Sequence, residues 1–207
     1  MGRPPGQRNL KFEESRSAML DQIIKAVSAM PHRSSFAELA DMAGVSRTTL
    51  RHYFGSREAL LSALLEHMKV IGDQMRSRYP DPTHLGLEDA LRASLSRLVL
   101  AWRVGVGALI VSGLVWGLED EKLGTGFVQA MLEPLLTGFE QQISLRLSAS
   151  GMSAQQARFA ALALVSPLVL ALLHQDALHG ASCRPLPIEE FMEEHLQRFL
   201  KGWCNGQ

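Results

Sequence analysis

The chain has almost no cysteine: Cys183 and Cys204 are the only two among 207 residues. Neither belongs to a CxxC spacing, which excludes a zinc ribbon or a disulfide framework and fits a reduced cytoplasmic setting. Net charge is absent too, with 21 Lys/Arg against 21 Asp/Glu, and aromatic residues are scarce at 6%. No hydrophobic run is long enough to span a membrane. From Val104 to Leu118 there are 15 uncharged residues, four of them glycine, short of the roughly 18–20 a span needs. Residues 159–173 are as apolar and as short, so both stretches are expected to be helices buried within protein, with no membrane partner. The opening MGRPPGQRNLKFEESR lacks the apolar core of a secretory signal. No nucleophile stands at usable spacing from a base and no carboxylates are paired for catalysis, so no catalytic residue, enzyme activity or cofactor is expected. The GVG at 105–107 follows no strand and lacks a third glycine, so it is no phosphate loop. His174 and His179, with Asp176 and Cys183 nearby, are five apart on a helix and fall on opposite flanks, so no metal site is expected.

What the chain does have is 46% hydrophobic residues, enough for a substantial core, and a charge that divides along its length. Residues 1–80 hold 12 Lys/Arg against 8 Asp/Glu, net +4, and residues 81–207 hold 9 against 13, net −4. The cationic part contains SFAELADMAGVSRTTLRHYFGSR, residues 35–57. Ser35 can cap a helix that shows Phe36, Leu39, Ala40 and Ala43 at helical spacing. Gly44 falls where that helix must stop in a left-handed residue. Val45 is expected as a buried plug, and Ser46 as the cap of a second helix beginning at Arg47. Leu50 and Phe54 face inward, leaving Arg47, Thr48, Arg51 and His52 outward. This is a helix-turn-helix, a motif whose second helix enters a major groove. The cationic, hydroxylic outer face favours double-stranded DNA over a plain helical hairpin.

The rest of the pattern is helical, with no convincing alternating strand. Residues 1–14 are expected to be a disordered basic arm. A first helix is predicted from about Ser17 to Met30, ended by Pro31, and Ser56 caps a long fourth helix with Leu60, Leu61, Leu64, Leu65, Met68, Ile71 and Met75 as its stripe. YPDPTHLG at 79–86 breaks the pattern as a domain boundary. Further helices are expected over 86–101, 104–118, 125–149, 153–179 and 187–203. The last shows one apolar face and carries its glutamates early and Arg198 and Lys201 late, as the helix dipole prefers. The one before it is apolar nearly all round and must be covered on more than one side. A second copy of the chain is the economical cover, because a helix-turn-helix normally reads two half-sites through a twofold dimer. The expected homodimer interface is Phe159, Leu162, Val165, Val169 and Leu173, with Phe191, His195 and Phe199 from the last helix.

Ser35-Phe36, Ala43-Gly44-Val45-Ser46, Thr49-Leu50, Tyr53-Phe54 and Ser56-Arg57-Glu58, in that order, resemble the head of the tetracycline-repressor (TetR) family over about residues 17–68. Arg51 stands where that family usually has Tyr, and Arg57 where it usually has Lys. The resemblance implies an all-α protein: a three-helix helix-turn-helix head at 15–57, a connecting helix at 58–78, and an all-helical effector-binding and dimerisation domain at 79–207. It implies a ligand-responsive transcriptional regulator, a repressor that binds a palindromic operator and is released by a small, mainly apolar effector. An effector-independent architectural DNA-binding protein is the alternative. Carried onto this chain, Arg47, Thr48 and His52 become candidates for base edges, and Arg47 for a bidentate guanine contact. Thr49, Tyr53 and Arg57 become phosphate contacts, with Ser35 and Ser46 at the helix starts. Tyr53 has a second reading as a core ring. Arg51 suits either phosphate or base, and Arg3, Arg8 and Lys11 form either a groove-following arm or a solubilising tail. Trp102, Trp116, Phe127, Met131 and Phe139 are candidates to border an effector cavity or are ordinary core. Arg103 meets an anion there or pairs with Glu119, Asp120 or Glu133.

Overall fold

The structure, a computed structural model, describes residues 5–29, 35–78, 84–147 and 151–204. Every regular element among them is helical, so the chain is all-α. It clusters into two compact units: the stretch up to Gln74 with Ala108–Ala130, and Met75–Gly107 with Met131 onward. The segment 108–130 therefore groups with the head and not with the remainder of 79–207.

In the first unit, α1 (Pro5–Ala29), α2 (Phe36–Met42), α3 (Arg47–Phe54) and the start of α4 (Arg57–Arg78) bury Leu20, Ile23, Val27, Leu39, Leu50, Leu60, Leu61 and Leu64 together. Helix α1 begins at Pro5, well before Ser17, so Pro5–Glu14 are helical where a disordered arm was expected. The reason is tertiary. Phe12 stacks on the Tyr53 ring at 4.5 Å, and one turn on, Arg16 lies over the Phe54 ring at 5.1 Å. These contacts reward a helix that its polar sequence alone would leave marginal. Arg3, Met30 and Pro31 lie outside the described residues. Ser56 caps α4 as predicted, its hydroxyl accepting from Ala59 N–H at 3.2 Å.

Helices α6 (Gly107–Glu119) and α7 (Glu121–Phe127) complete this unit. The sequence pattern left residues 119–124 between two helices, yet the Asp120 carboxylate accepts from the N–H groups of Lys122 and Leu123 at 2.9 and 3.0 Å and starts α7 already at Glu121. The two helices meet backbone to backbone: a Cβ on Gly117 would lie 2.9 Å from Gly124 Cα. Glycine is required there by closeness, not by φ. The Phe127 ring fills a notch at Gly113.

The second unit contains α5 (Leu87–Ala101), a kink at Val104–Gly105, α8 (Glu133–Leu147), α9 (Ala154–Leu172) and α10 (Ile188–Cys204). Gly105 has φ 116°, a backbone that side chains disfavour, so glycine permits the kink. Ser153 starts α9 with a capping box, and the helix continues through Pro167. Eight of its residues are buried, among them Leu164, Val165, Leu168 and Leu172. The runs Leu87–Glu119 and Ala154–Ala177 are long and apolar enough to cross a membrane by composition alone. The first is broken by the kink and bears Arg92, Arg97 and Arg103, and the second includes the eight buried residues of α9.

Candidate nucleic-acid interface

The turn between α2 and α3 is built by local chemistry. Ser35 Oγ accepts from Glu38 N–H at 3.3 Å while Glu38 Oε2 accepts from Ser35 N–H at 2.7 Å, a reciprocal cap. At the other end Gly44 takes φ 68°, and Val45 N–H reaches back to Ala40 O at 3.0 Å. That pair is the six-to-one closure of a helix ending in a left-handed residue. Val45 is half-buried and so only partly the plug expected. Ser46 Oγ then accepts from Thr49 N–H at 3.1 Å and shares a 2.9 Å hydrogen bond with the Thr49 hydroxyl. Leu50 and Phe54 are buried, anchoring α3 by its inner side.

Arg47, Thr48, Arg51 and His52 are all exposed on the opposite side of α3. This is the outward face predicted from spacing. No hydrogen bond or ion pair among the described residues ties down Arg47 or Thr48. Arg51 lies over the Phe36 ring at 5.7 Å, joining α3 to α2 by a cation–π contact while remaining exposed. His52 stands edge-on to Phe12 at 6.1 Å and to Tyr53 at 5.4 Å. Tyr53 is half-buried in its stack with Phe12. The Thr49 hydroxyl is engaged with Ser46. Arg57 Nη1 donates to Glu119 Oε2 at 3.3 Å, a partner that sequence reasoning missed. Of the proposed arm, Lys11 is exposed on α1.

The six residues suggested for an effector cavity do not come together in one unit. Trp116 and Phe127 are buried in the first, whereas Trp102 and Phe139 are buried in the second, which also holds the exposed Arg103 and the half-buried Met131. Arg103 pairs with Glu189 at 2.5 Å, not with Glu119, Asp120 or Glu133, and that carboxylate holds its guanidinium in the charged form. Glu133 is taken by Arg158, which also bridges to Glu140. An open cleft of about 500 Å³ does exist in the first unit, lined by Ser62, Leu65, Glu66, Glu121, Lys122 and Thr125 among others. On α6, Ser112 Oγ and Trp116 Nε1 are buried without hydrogen-bond partners among the described residues.

The expected dimer residues separate into two sets. Phe159 and Leu162 are exposed, and Val169, Leu173, Phe191 and His195 are half-buried. Val165 and Phe199 are 3% and 5% exposed and so covered within their own unit, which corrects their assignment to an interface. His195 Nε2 lies 3.0 Å from Leu164 O, and its ring stacks on Phe191. The apolar face left open on α9 is Phe159, Leu162, Ala163 and Leu170, and Leu170 is 65% exposed.

Residues 31–64 match the family described as bacterial regulatory proteins, tetR family. No curated protein matches the chain in sequence. Among solved structures, a tetR-family transcriptional regulator from Streptomyces coelicolor shares the fold at TM-score 0.67 and 20% identity, over 94% of this chain and 84% of that one. The transcriptional regulator FadR from Bacillus subtilis, solved with stearoyl-CoA, aligns at TM-score 0.63 and 16% identity over 89% and 97%. The fatty acid degradation regulator FadR from Bacillus halodurans aligns at TM-score 0.59 and 16% identity over 98% of both chains.

Proposed function

We propose that this chain, whose residues 31–64 match the bacterial regulatory proteins of the tetR family, is a ligand-responsive repressor that binds a palindromic operator as a homodimer. The observation that carries this reading is α3 itself. A helix capped at Ser46 and anchored by Leu50 and Phe54 presents Arg47, Thr48, Arg51 and His52 to solvent as one face. Those four side chains supply donors to base edges and phosphates, with Arg47 the bidentate reader of guanine. Arg57 and Ser35 add backbone contacts. The protein is a non-enzymatic regulator of the cytoplasm.

The homodimer reading rests on the open apolar face of α9, Phe159, Leu162, Ala163 and Leu170, for which a second copy is the self-complementary cover. The effector is a small, mainly apolar molecule. Support comes from the stearoyl-CoA bound by the Bacillus subtilis regulator of similar fold. Release requires the effector to bind the DNA-free arrangement more tightly than the DNA-bound one.

The experiment is a titration of a duplex from upstream of the protein's own gene, at two salt concentrations, with and without a panel of fatty acids and acyl thioesters. Tight, salt-dependent binding that one panel member reverses is the expected result. Binding that no member alters, with no thermal stabilisation by any of them, would favour the effector-independent architectural protein. No binding to the duplex would overturn the regulator reading for this DNA.

A further inference from the structure

Arg57 is the first residue of α4 and Glu119 the last of α6, and each charge stands at the end of its helix that the dipole disfavours. Helix α6 has no basic residue in its last turn to balance Glu119. Two local preferences are thus broken at one place, the pattern expected where a charge serves a function and not its own helix. The two charges meet at 3.3 Å, each side chain 23% exposed. More negative charge gathers around them. Glu58 follows Arg57, and Asp120 follows Glu119 closely enough to act on the Glu58 carboxyl.

We infer that Glu119 is an intramolecular stand-in for a DNA phosphate: it occupies Arg57 in the free protein, and DNA binding exchanges the carboxylate for a backbone phosphate. The inference rests on the DNA-binding reading of the head. Its chemistry is the exchange of one anion for another at a single guanidinium. A part-exposed ion pair is weak and screened, whereas a phosphate contact also releases a counterion from DNA, so the exchange runs forward at low salt. The position of Glu119 is set by the α6–α7 corner. Asp120 caps α7 one residue later, and the Gly117–Gly124 contact clamps the two helices together. Any shift of that corner against α4 changes how firmly Arg57 is held, which makes Glu119 a positioning residue for DNA affinity.

The test is a double-mutant cycle in the full chain. Glu119→Gln, Arg57→Ala and the double variant are titrated with a short random-sequence duplex and with the upstream duplex across a range of potassium chloride concentrations. Glu121→Gln serves as the control for removing any nearby negative charge. Glu119→Gln is expected to tighten both duplexes about two- to fivefold per head, the strength of an exposed pair, with the gain shrinking as salt rises. Arg57→Ala should weaken both duplexes and lower the salt slope by about 0.9 per head. In the Arg57→Ala background Glu119→Gln should do no more than Glu121→Gln does. Glu119→Ala, which also removes the wrong-signed charge from the end of α6, should act in the same direction and guards against a folding defect peculiar to glutamine. Failure of the wild-type protein to bind either duplex would refute the DNA-binding reading and the inference with it. Wild-type binding with a Glu119→Gln effect that is absent, reversed, or equal in the presence and absence of Arg57 would overturn the inference alone.

Discussion

Replacing Leu170 by glutamate tests the proposed twofold assembly at the most exposed apolar point of the open α9 face. Leu170 is 65% exposed on α9, so its side chain adds little to the fold of its own unit. Burying a leucine side chain contributes about 2 kcal/mol, and the share still exposed here therefore about 1.3 kcal/mol. A twofold interface counts every residue twice, which gives about 2.6 kcal/mol lost on truncation and a dimer roughly 80-fold weaker. Glutamate does more, since two carboxylates would have to be desolvated near each other, so a weakening of at least about 100-fold is expected. Glutamate is also a good helix former, and α9 should persist. Sedimentation equilibrium over a wide concentration range measures the dissociation constant, and circular dichroism checks the helix. Leu100→Glu, at a residue 59% exposed on α5 and not among the proposed interface residues, is the control and should leave association unchanged. The reasoning fails if Leu170→Glu self-associates as tightly as the wild type, or if Leu100→Glu weakens the dimer equally.

Arg47→Ala should cost about 1–3 kcal/mol of operator binding and relax preference at one base pair, read by selection from a randomised duplex pool; unchanged preference at every position would move base reading off Arg47. Ser46→Ala removes the cap of α3 and should cost about 1 kcal/mol in thermal or urea unfolding; no loss would mean that Thr49 or solvent satisfies the helix start equally well. Gly105→Ala forces a side chain into φ 116° and should cost about 1–3 kcal/mol of stability, whereas a neutral or stabilising melt would show the kink to be dispensable. Glu193 is held down to about 2 by the Arg92 guanidinium, with Gln197 also donating to it. Because its folded value is depressed, the stability it contributes is present above the ordinary carboxylate range and is lost as pH falls toward 2. At 33% and 43% side-chain exposure for Arg92 and Glu193 the gain is screened to about 1 kcal/mol. The stability gap between wild type and Glu193→Gln should therefore close between pH 4.5 and 2, and a gap independent of pH would refute the role of this pair.

The head was legible because its signals are local. Ser35, Gly44, Ser46 and Ser56 each act within a few residues, so caps and turn could be read from spacing, and the outward face of α3 follows from where Leu50 and Phe54 must point. What escaped was held by distant partners. Pro5–Glu14 have a polar pattern that resembles an unstructured tail, and the segment is held as helix by tertiary contacts such as the Phe12–Tyr53 stack. Gly124 fell outside the helix expected from residue 125, yet it lies within α7, where α6 approaches it closely at Gly117. Helix α9 is apolar nearly all round, so its periodicity could not tell the buried side holding Val165 from the open side holding Leu170. The partner of Arg103 was chosen from carboxylates near in sequence, while the fold supplied Glu189 from α10.

The chain passes between its two compact units at three points, and they differ in kind. One lies inside α4, between Gln74 and Met75, where the helix is unbroken. Another, between Gly107 and Ala108, comes just after the kink at Val104–Gly105, and the third falls within the wide turn Val128–Leu132. An unbroken helix transmits a displacement along its axis, whereas kinks and wide turns bend more readily and recur at functional positions. A ligand acting on the second unit would thus have one stiff covalent route into the first, along α4, and two softer ones into the α6–α7 pair. Arg57 stands at the far end of the stiff route and Glu119 at the corner served by the soft ones. Under the proposed exchange of Glu119 for a phosphate, a ligand signal that reached the α6–α7 corner or α4 would act on DNA affinity through the availability of the Arg57 guanidinium.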